Sequence, residues 1–244
     1  MYIQSQGSRV KDMPAEHFPL RCIKEVDLPD DGFDVKEALI EYFKGLNDKE
    51  WTRKVGVHHP SALGGCTRAR YYDRLGIAPK PRKPVEQLVM FEVGHAIHDR
   101  WQKILQKMFP GFEAELLAVD EELFMAGHCD GVFRIKDWIL EIKTVGDSSF
   151  RRLRSPKKDH VEQAHCYMWA FDVPRSQILY ICRNTGLMKN YKRKFSMETW
   201  RTIVGKFEEI EDGIVAEQPP PKEPNTWVCP GCKFFHVCEP ELNG

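Results

Sequence analysis

The chain has 244 residues, is 42% hydrophobic and carries 36 basic against 36 acidic side chains, a formal net charge of zero. This is enough apolar material to bury one substantial core, and no apolar run reaches the roughly 20 residues of a membrane-spanning helix, so nothing in it suggests a membrane anchor. A nucleic-acid partner would have to be met by local basic patches rather than by global charge.

Residues 1–57 carry Asp, Glu and Lys with one helical stretch near Val35 to Leu46, and read as an N-terminal extension that packs on the rest of the chain or binds a partner. The main domain is read as 58–244. Ser61 is placed to cap a helix that carries Cys66. In that helix Arg68, Arg70 and Arg74 interleave with Tyr71 and Tyr72, a pattern that suits phosphate contact and base stacking; a solvated helix face explains it equally well. Pro79, Pro81 and Pro84 then break the chain. Val85 to about Met108 reads as a helix with Leu88, Phe91, Ile97, Trp101, Ile104 and Leu105 along an apolar stripe, and His98 lies at the edge of that stripe.

Beyond a first strand, the run Leu123 to Ile135 and the run Trp138 to Val145 flank the polar break Lys136-Asp137 and predict a β-hairpin. A helix around Val161 to Phe171, strands Gln177 to Cys182 and Met188 to Phe195, and a helix Met197 to Val215 follow. Lys189, Lys192, Arg193 and Lys194 then fall on the polar face of the last strand. Glu217 to Pro224 is a stiff, polyproline-like strap that carries the C-terminal cysteines back across the molecule towards Cys66.

The hairpin holds the chemistry. Asp130 on its first run and Glu141-Ile142-Lys143 on its second bring two carboxylates and an amine together, with Glu141 and Lys143 on one face and Ile142 on the other. Carboxylates suit Mg²⁺ or Mn²⁺, and a bound divalent ion polarises a phosphoryl oxygen and lowers the pKa of an attacking water. A Lys beside them orients that water or stabilises charge on phosphorus. His98 as a further ligand would favour manganese, which takes imidazole better than magnesium does. Gln163 and Tyr167, four apart, share one face of the next helix. Each motif alone is common: Glu-x-Lys is an ordinary strand pattern, and a lone helical His is more often a core or surface residue.

Their order is specific. Gly94-x-x-x-His98, Gly127-x-x-Asp130, Glu141-x-Lys143 and Gln163-x-x-x-Tyr167 together resemble the motifs of the PD-(D/E)XK nuclease superfamily, in its RecB-like branch. The resemblance implies an α/β, restriction-endonuclease-like mixed sheet flanked by helices. It implies that His98, Asp130, Glu141 and the Ile142 carbonyl bind metal, that Lys143 is catalytic, and that Gln163 and Tyr167 support the site. Cys129 stands where the family has Pro, but the ligand after it is retained.

Cys229, Cys232 and Cys238 supply three thiolates at a spacing that a compact metal centre can use, and Cys66 is the best fourth ligand, ahead of His236. One Cys before the nuclease motifs and a C-x2-C-x5-C group after them resembles the Cas4-like nucleases. This implies a structural [4Fe-4S] cluster pinning residues 217–244 to the Cys66 region; zinc remains a competing occupant. Without a secretory leader the thiols are expected to stay reduced in the cytoplasm, or in a host cytoplasm if the source is viral. Cys22, Cys129, Cys166 and Cys182 are then free, with Cys129 and Cys182 buried.

The expectation is a Mg²⁺- or Mn²⁺-dependent DNA exonuclease acting on single-stranded ends. The alternative is a Cas4-like subunit or binding module working with recombination, helicase or CRISPR-adaptation proteins. Arg151, Arg152 and Arg154, with Lys157 and Lys158, form a basic run just after the catalytic strand. With Arg68 and Arg70 they are the candidate nucleic-acid contacts.

Overall fold

The computed structural model describes residues 34–48, 55–80, 83–222 and 229–239. Cys22, most of the expected extension, Pro81 and the Glu223–Pro224 end of the strap lie outside them. Two compact units divide between Ile40 and Glu41. Of the first, the described part is the opening of α1 (Val35–Asp48), where the Asp34 carboxylate accepts the Lys36 amide at 2.7 Å, as an N-cap does.

The second unit is built on a five-stranded mixed sheet in the order β1-β2-β3-β4-β5. Its strands are β1 (Phe112–Asp120), β2 (Met125–Phe133), β3 (Trp138–Val145), β4 (Arg175–Cys182) and β5 (Met188–Lys194). β1, β2 and β3 form antiparallel hairpins, β3 and β4 are parallel, and β5 returns antiparallel. A parallel pair needs a crossover, here α4 (Asp147–Arg152) and α5 (Lys158–Ala170). The expected turn between β2 and β3 is made by a short 3₁₀ segment and Asp137 at φ +52°, a left-handed position that Asp tolerates.

Helices cover both faces. On one, Ile97, Trp101 and Leu105 of α3 (Val85–Met108) pack against Leu140 and Ile142 of β3, Ile181 of β4 and Phe112 of β1. On the other, Tyr167 and Met168 of α5 pack on Cys129, Val132 and Ile139, while Ala164 meets Ile178, Tyr180 and Cys182. Both faces being buried explains the near-continuous apolar run of β3. Behind α5, α6 (Met197–Val215) buries Trp200, Ile203 and Phe207 with Leu63, Met125 and Cys166; Ser196 caps it by accepting the Thr199 amide at 3.3 Å.

The apolar stripe of α3 is shorter than the sequence predicts. From Ile97 onward it meets the core, but Phe91 is 40% exposed, and Val89, Met90 and Val93 are also exposed. A 24-residue helix rises about 36 Å, whereas the eight-residue β3 spans roughly 26 Å; the helix outruns the sheet. Ser61 likewise does not cap the Cys66 helix. It lies in a 3₁₀ turn (Pro60–Ala62), and Cys66 itself is the N-cap residue of α2 (Thr67–Arg74), without a side-chain cap bond.

β1 changes face in its middle. Phe112 and Ala114 pack on the α3 side, Leu116 and Ala118 on the α5 side, although an unbroken strand keeps i, i+2 and i+4 together. The switch falls at Glu115, whose φ is +54°, costly for a residue with a Cβ. On β2 the same slip separates Cys129 from Gly131 across Asp130. Ala114 pairs with Gly131 and Leu116 with Cys129, so Glu115 and Asp130 stand opposite each other between them.

Gly131 is required where the strands cross the Phe112 ring, because a Cβ there would lie 2.3 Å from Phe112 Cε2 and Cζ. Gly131→Ala is expected to lower unfolding stability by about 1–3 kcal/mol, read by denaturant titration beside Gly186→Ala as the comparison for an uncrowded but left-handed glycine. A Gly131→Ala loss below about 0.5 kcal/mol would contradict this packing.

Candidate active site

The β2–β3 ladder is short: it pairs Phe133 with Trp138, Val132 with Ile139 and Gly131 with Leu140, and no further. The next two residues in that register are Asp130 and Glu141. As the strands part, the Asp130 carboxylate enters the opening, and its Oδ2 accepts the Ile142 amide at 2.6 Å in place of a ladder partner. A carboxylate bound to a backbone N–H in this way is held at a fixed position. His98, from α3, places Nδ1 3.3 Å from Asp130 Oδ1.

Glu141 is 1% exposed and sits on the α5 side with Lys143. The Lys143 ammonium donates to Glu141 Oε2 and to Gln163 Oε1, both at 2.8 Å, and Gln163 Nε2 in turn donates to the Tyr167 hydroxyl at 3.3 Å. The predicted sharing of a face by Glu141 and Lys143, with Ile142 turned away into the α3 side, is what the strand provides. Gly127 allows the assembly to close: a Cβ there would lie 3.0 Å from the Tyr167 hydroxyl and 2.9 Å from Pro60 Cδ. Cys129, completely buried, gives its Sγ–H to the Gly131 carbonyl at 3.3 Å; burial, then the Glu141 charge, raises its pKa and keeps it a thiol.

Burial pushes the Glu141 carboxyl up to about 7, against the attraction of Lys143 and with the repulsion of Asp130. Burial also opposes the Lys143 ammonium, but Glu141 and Asp130 outweigh it and hold its pKa above the ordinary value. Glu141 Oε1 is buried and has no hydrogen-bond partner. An orphaned carboxylate oxygen facing a second carboxylate calls for a cation, and these hard donors suit a divalent one. Among the described residues, no three His, Cys, Asp or Glu side chains converge closely enough to ligate one ion as they stand. The positive partners of the two carboxylates are instead Lys143 and the Ile142 dipole.

Four groups around this centre carry no sequence signature that singled them out. Gln102 donates to the Asp130 carbonyl and to Glu115, which stands opposite Asp130. Tyr180 pairs with Lys143 in the β3–β4 ladder, accepts the Lys157 amide at 3.0 Å and shares a hydrogen bond with His160 Nδ1, 2.7 Å away. Burial, then the nearby Lys143, lowers the His160 pKa to about 4, so its imidazole is neutral near pH 7. His160 lies three residues before Gln163 on α5, the one spacing that could have drawn attention to it.

The fold divides the candidate nucleic-acid contacts. Arg151, Arg152, Arg154, Lys157 and Lys158 are exposed just past the end of β3, with Arg151 paired to Asp147 at 2.9 Å. Arg68 and Arg70, expected to contact nucleic acid, turn inward. Arg68 Nε donates to the Pro220 carbonyl at 2.6 Å, and Arg70 is buried with Nη2 on Thr67 Oγ1 at 3.1 Å. Helix α2 is covered by the C-terminal segment, which its own sequence does not reveal.

Cys66, Cys229, Cys232 and Cys238 line one cavity of about 180 Å³ with Arg68, Tyr72 and Phe234. His236 is not among its lining residues. Lys233 ties the segment to α2 through Asp73 at 3.0 Å, and its carbonyl accepts the Lys80 amide.

No family model and no curated protein matches the chain. Solved structures resemble it. SSO0001 aligns over 85% of this chain and 97% of its own at 19% identity and a TM-score of 0.53. The alkaline exonuclease LHK-Exo from Laribacter hongkongensis aligns over 72% of this chain and 93% of its own at 11% identity and TM-score 0.50. Its complex with dAMP aligns over 66% and 89% at 13% identity and the same score. The chain shares its fold with these structures.

A raised carboxyl pKa favours the folded protein at low pH, and that advantage is lost as pH rises from the unfolded value near 4.5 through the folded value of about 7. In EDTA the stability of wild type should therefore fall relative to Glu141→Gln across this window, by urea titration at each pH. A constant difference between the two proteins would show that Glu141 ionises in the folded chain as freely as in water.

Proposed function

We propose that the chain is a divalent-metal-dependent exodeoxyribonuclease that hydrolyses phosphodiester bonds at single-stranded DNA ends in recombination, repair or DNA processing. The observation that carries this reading is the buried Glu141 carboxylate, one oxygen on Lys143 and the other without a partner, in the opening opposite Asp130. His98, Asp130, Glu141 and the Ile142 carbonyl would hold Mn²⁺ or Mg²⁺, which when bound supplies Lewis-acid polarisation and a more acidic water. Lys143, fixed between Glu141 and Gln163, holds a positive charge where the phosphoryl group gains negative charge. Gln163 and Tyr167 keep the ammonium aimed. Arg151, Arg152 and Arg154, exposed next to the end of β3, offer phosphate neutralisation along the strand. The likeness to an exonuclease that was also solved with dAMP supports a DNA substrate.

Four thiolates on one cavity support a metal centre of their own. Zinc would draw the four sulfurs to about 2.3 Å from a single atom; a lining around about 180 Å³ suits a polynuclear group better, and a [4Fe-4S] cluster is the reading we favour over zinc. Its role is to pin the Cys229–Cys238 segment to α2. None of the described helices is long and apolar enough to cross a membrane, and thiol ligation suits a reducing cytoplasm, of a host if the source is viral.

A second reading has one specific support. Val89 and Val93 of α3, both exposed and four apart on one face of the helix, offer a small apolar face of the kind that takes a protein partner. It favours a Cas4-like subunit that positions or trims DNA beside a helicase, recombination or CRISPR-adaptation protein.

With anaerobically purified protein, end-labelled single-stranded DNA should be cut in Mn²⁺ or Mg²⁺ and not in EDTA. Lys143→Ala should lower the rate by about 10²–10³-fold while the far-UV spectrum is unchanged. Undiminished cutting by a folded Lys143→Ala protein would remove the site from the reaction. DNA binding without cutting by wild type would favour the subunit reading.

A further inference from the structure

His98 and Gln102 are four residues apart on α3 and so project from one face. Both reach Asp130. His98 faces its carboxylate, and Gln102 Nε2 donates to its backbone carbonyl at 2.9 Å and to Glu115 Oε1 at 2.6 Å. Gln102 is 5% exposed, while α3 around it is largely exposed or half-buried. Because both partners are acceptors, the amide has one workable orientation: its NH₂ must face them.

The two acceptors are the two residues at which the sheet breaks its own alternation. Glu115 and Asp130 stand opposite each other, their neighbours paired above and below, and Glu115 is held at φ +54° in mid-strand. A strained non-glycine backbone beside a reactive centre persists only when its surroundings over-determine it. The face switch is also what places the Asp130 carboxylate in the gap between β2 and β3, where Ile142 meets it. One buried amide bridges both sides of that switch.

We infer that Gln102 and Glu115 are positioning residues for the divalent cation: by clamping the β1–β2 crossover they fix the Asp130 carboxylate between His98 and the Ile142 amide. Glu115 is not required as a ligand in this account. It anchors Gln102, Gln102 anchors the Asp130 main chain, and the strain at Glu115 is the local cost of aiming Asp130. The inference rests on the metal-dependent reading of the same site.

Glu115 allows a test that separates aiming from folding. Glycine is at ease at positive φ, so Glu115→Gly removes the anchor and the strain together. Mn²⁺ binding to the full chain, followed by the EPR signal of free Mn²⁺, should weaken about 10–100-fold in Glu115→Gly while Tm is unchanged or higher. Gln102→Leu should weaken it by a similar factor, and the double variant should bind no worse than the weaker single, since the two act through one bridge. Mn²⁺ affinity within about twofold of wild type in Glu115→Gly, or losses that multiply in the double variant, would overturn the clamp. A wild type that binds Mn²⁺ but cuts no DNA would sink the nuclease reading alone; variants that bind like an active wild type would sink the clamp alone.

Discussion

The hydrogen bond from the Ile142 amide to the Asp130 carboxylate decides the rest of the centre. It is made because the β2–β3 ladder ends one register step earlier, at Gly131 and Leu140, leaving a buried N–H that must find an acceptor. A carboxylate meets that need and enters the sheet where a carbonyl would have been. Its neighbour across the opening is Glu141, so two acidic groups face one another in a place from which water is largely removed. Each carboxylate then depends on groups at hand: the main-chain dipole for Asp130, whose other oxygen faces the His98 ring, and the Lys143 ammonium for Glu141.

The two halves of the centre belong to opposite faces of the sheet. Asp130 is governed from the α3 side through His98 and Gln102, whereas Glu141 and Lys143 are governed from the α5 side through Gln163 and Tyr167. Neither helix alone completes the arrangement, and the sheet transmits the relation between them. Gly127 and Pro60 extend the α5 side further: the turn that begins at Pro60 packs against α5 and β2 and leads within six residues to Cys66. The cysteine segment, joined to α2 by Lys233 and Asp73, thus supports the same helix that aims Lys143.

Much of this was legible in the chain. The α3 boundaries follow from apolar period and from Pro84 at its start, and the order of His98, Asp130, Glu141-x-Lys143, Gln163 and Tyr167 brought together residues that do meet. Other features were hidden for physical reasons. The stretch Phe112–Asp120 contains nothing that announces a change of face, because the positive φ at Glu115 sits at a residue type that carries no turn signal and whose partner, Gln102, comes from α3. Arg68 and Arg70 read as surface cations because what covers them arrives about 150 residues later, at Pro220. Nothing in the sequence marks Gln102, and only its burial in the fold sets it apart from the exposed residues around it.

The central claim is that the opening between Asp130 and Glu141 is a divalent cation site. Crystals grown in Mn²⁺ and measured at the manganese absorption edge test it most directly. The account predicts an anomalous peak ligated by Asp130 and by the Glu141 oxygen that now lacks a partner. Manganese bound only elsewhere on the chain, with that oxygen still unpartnered, would contradict it.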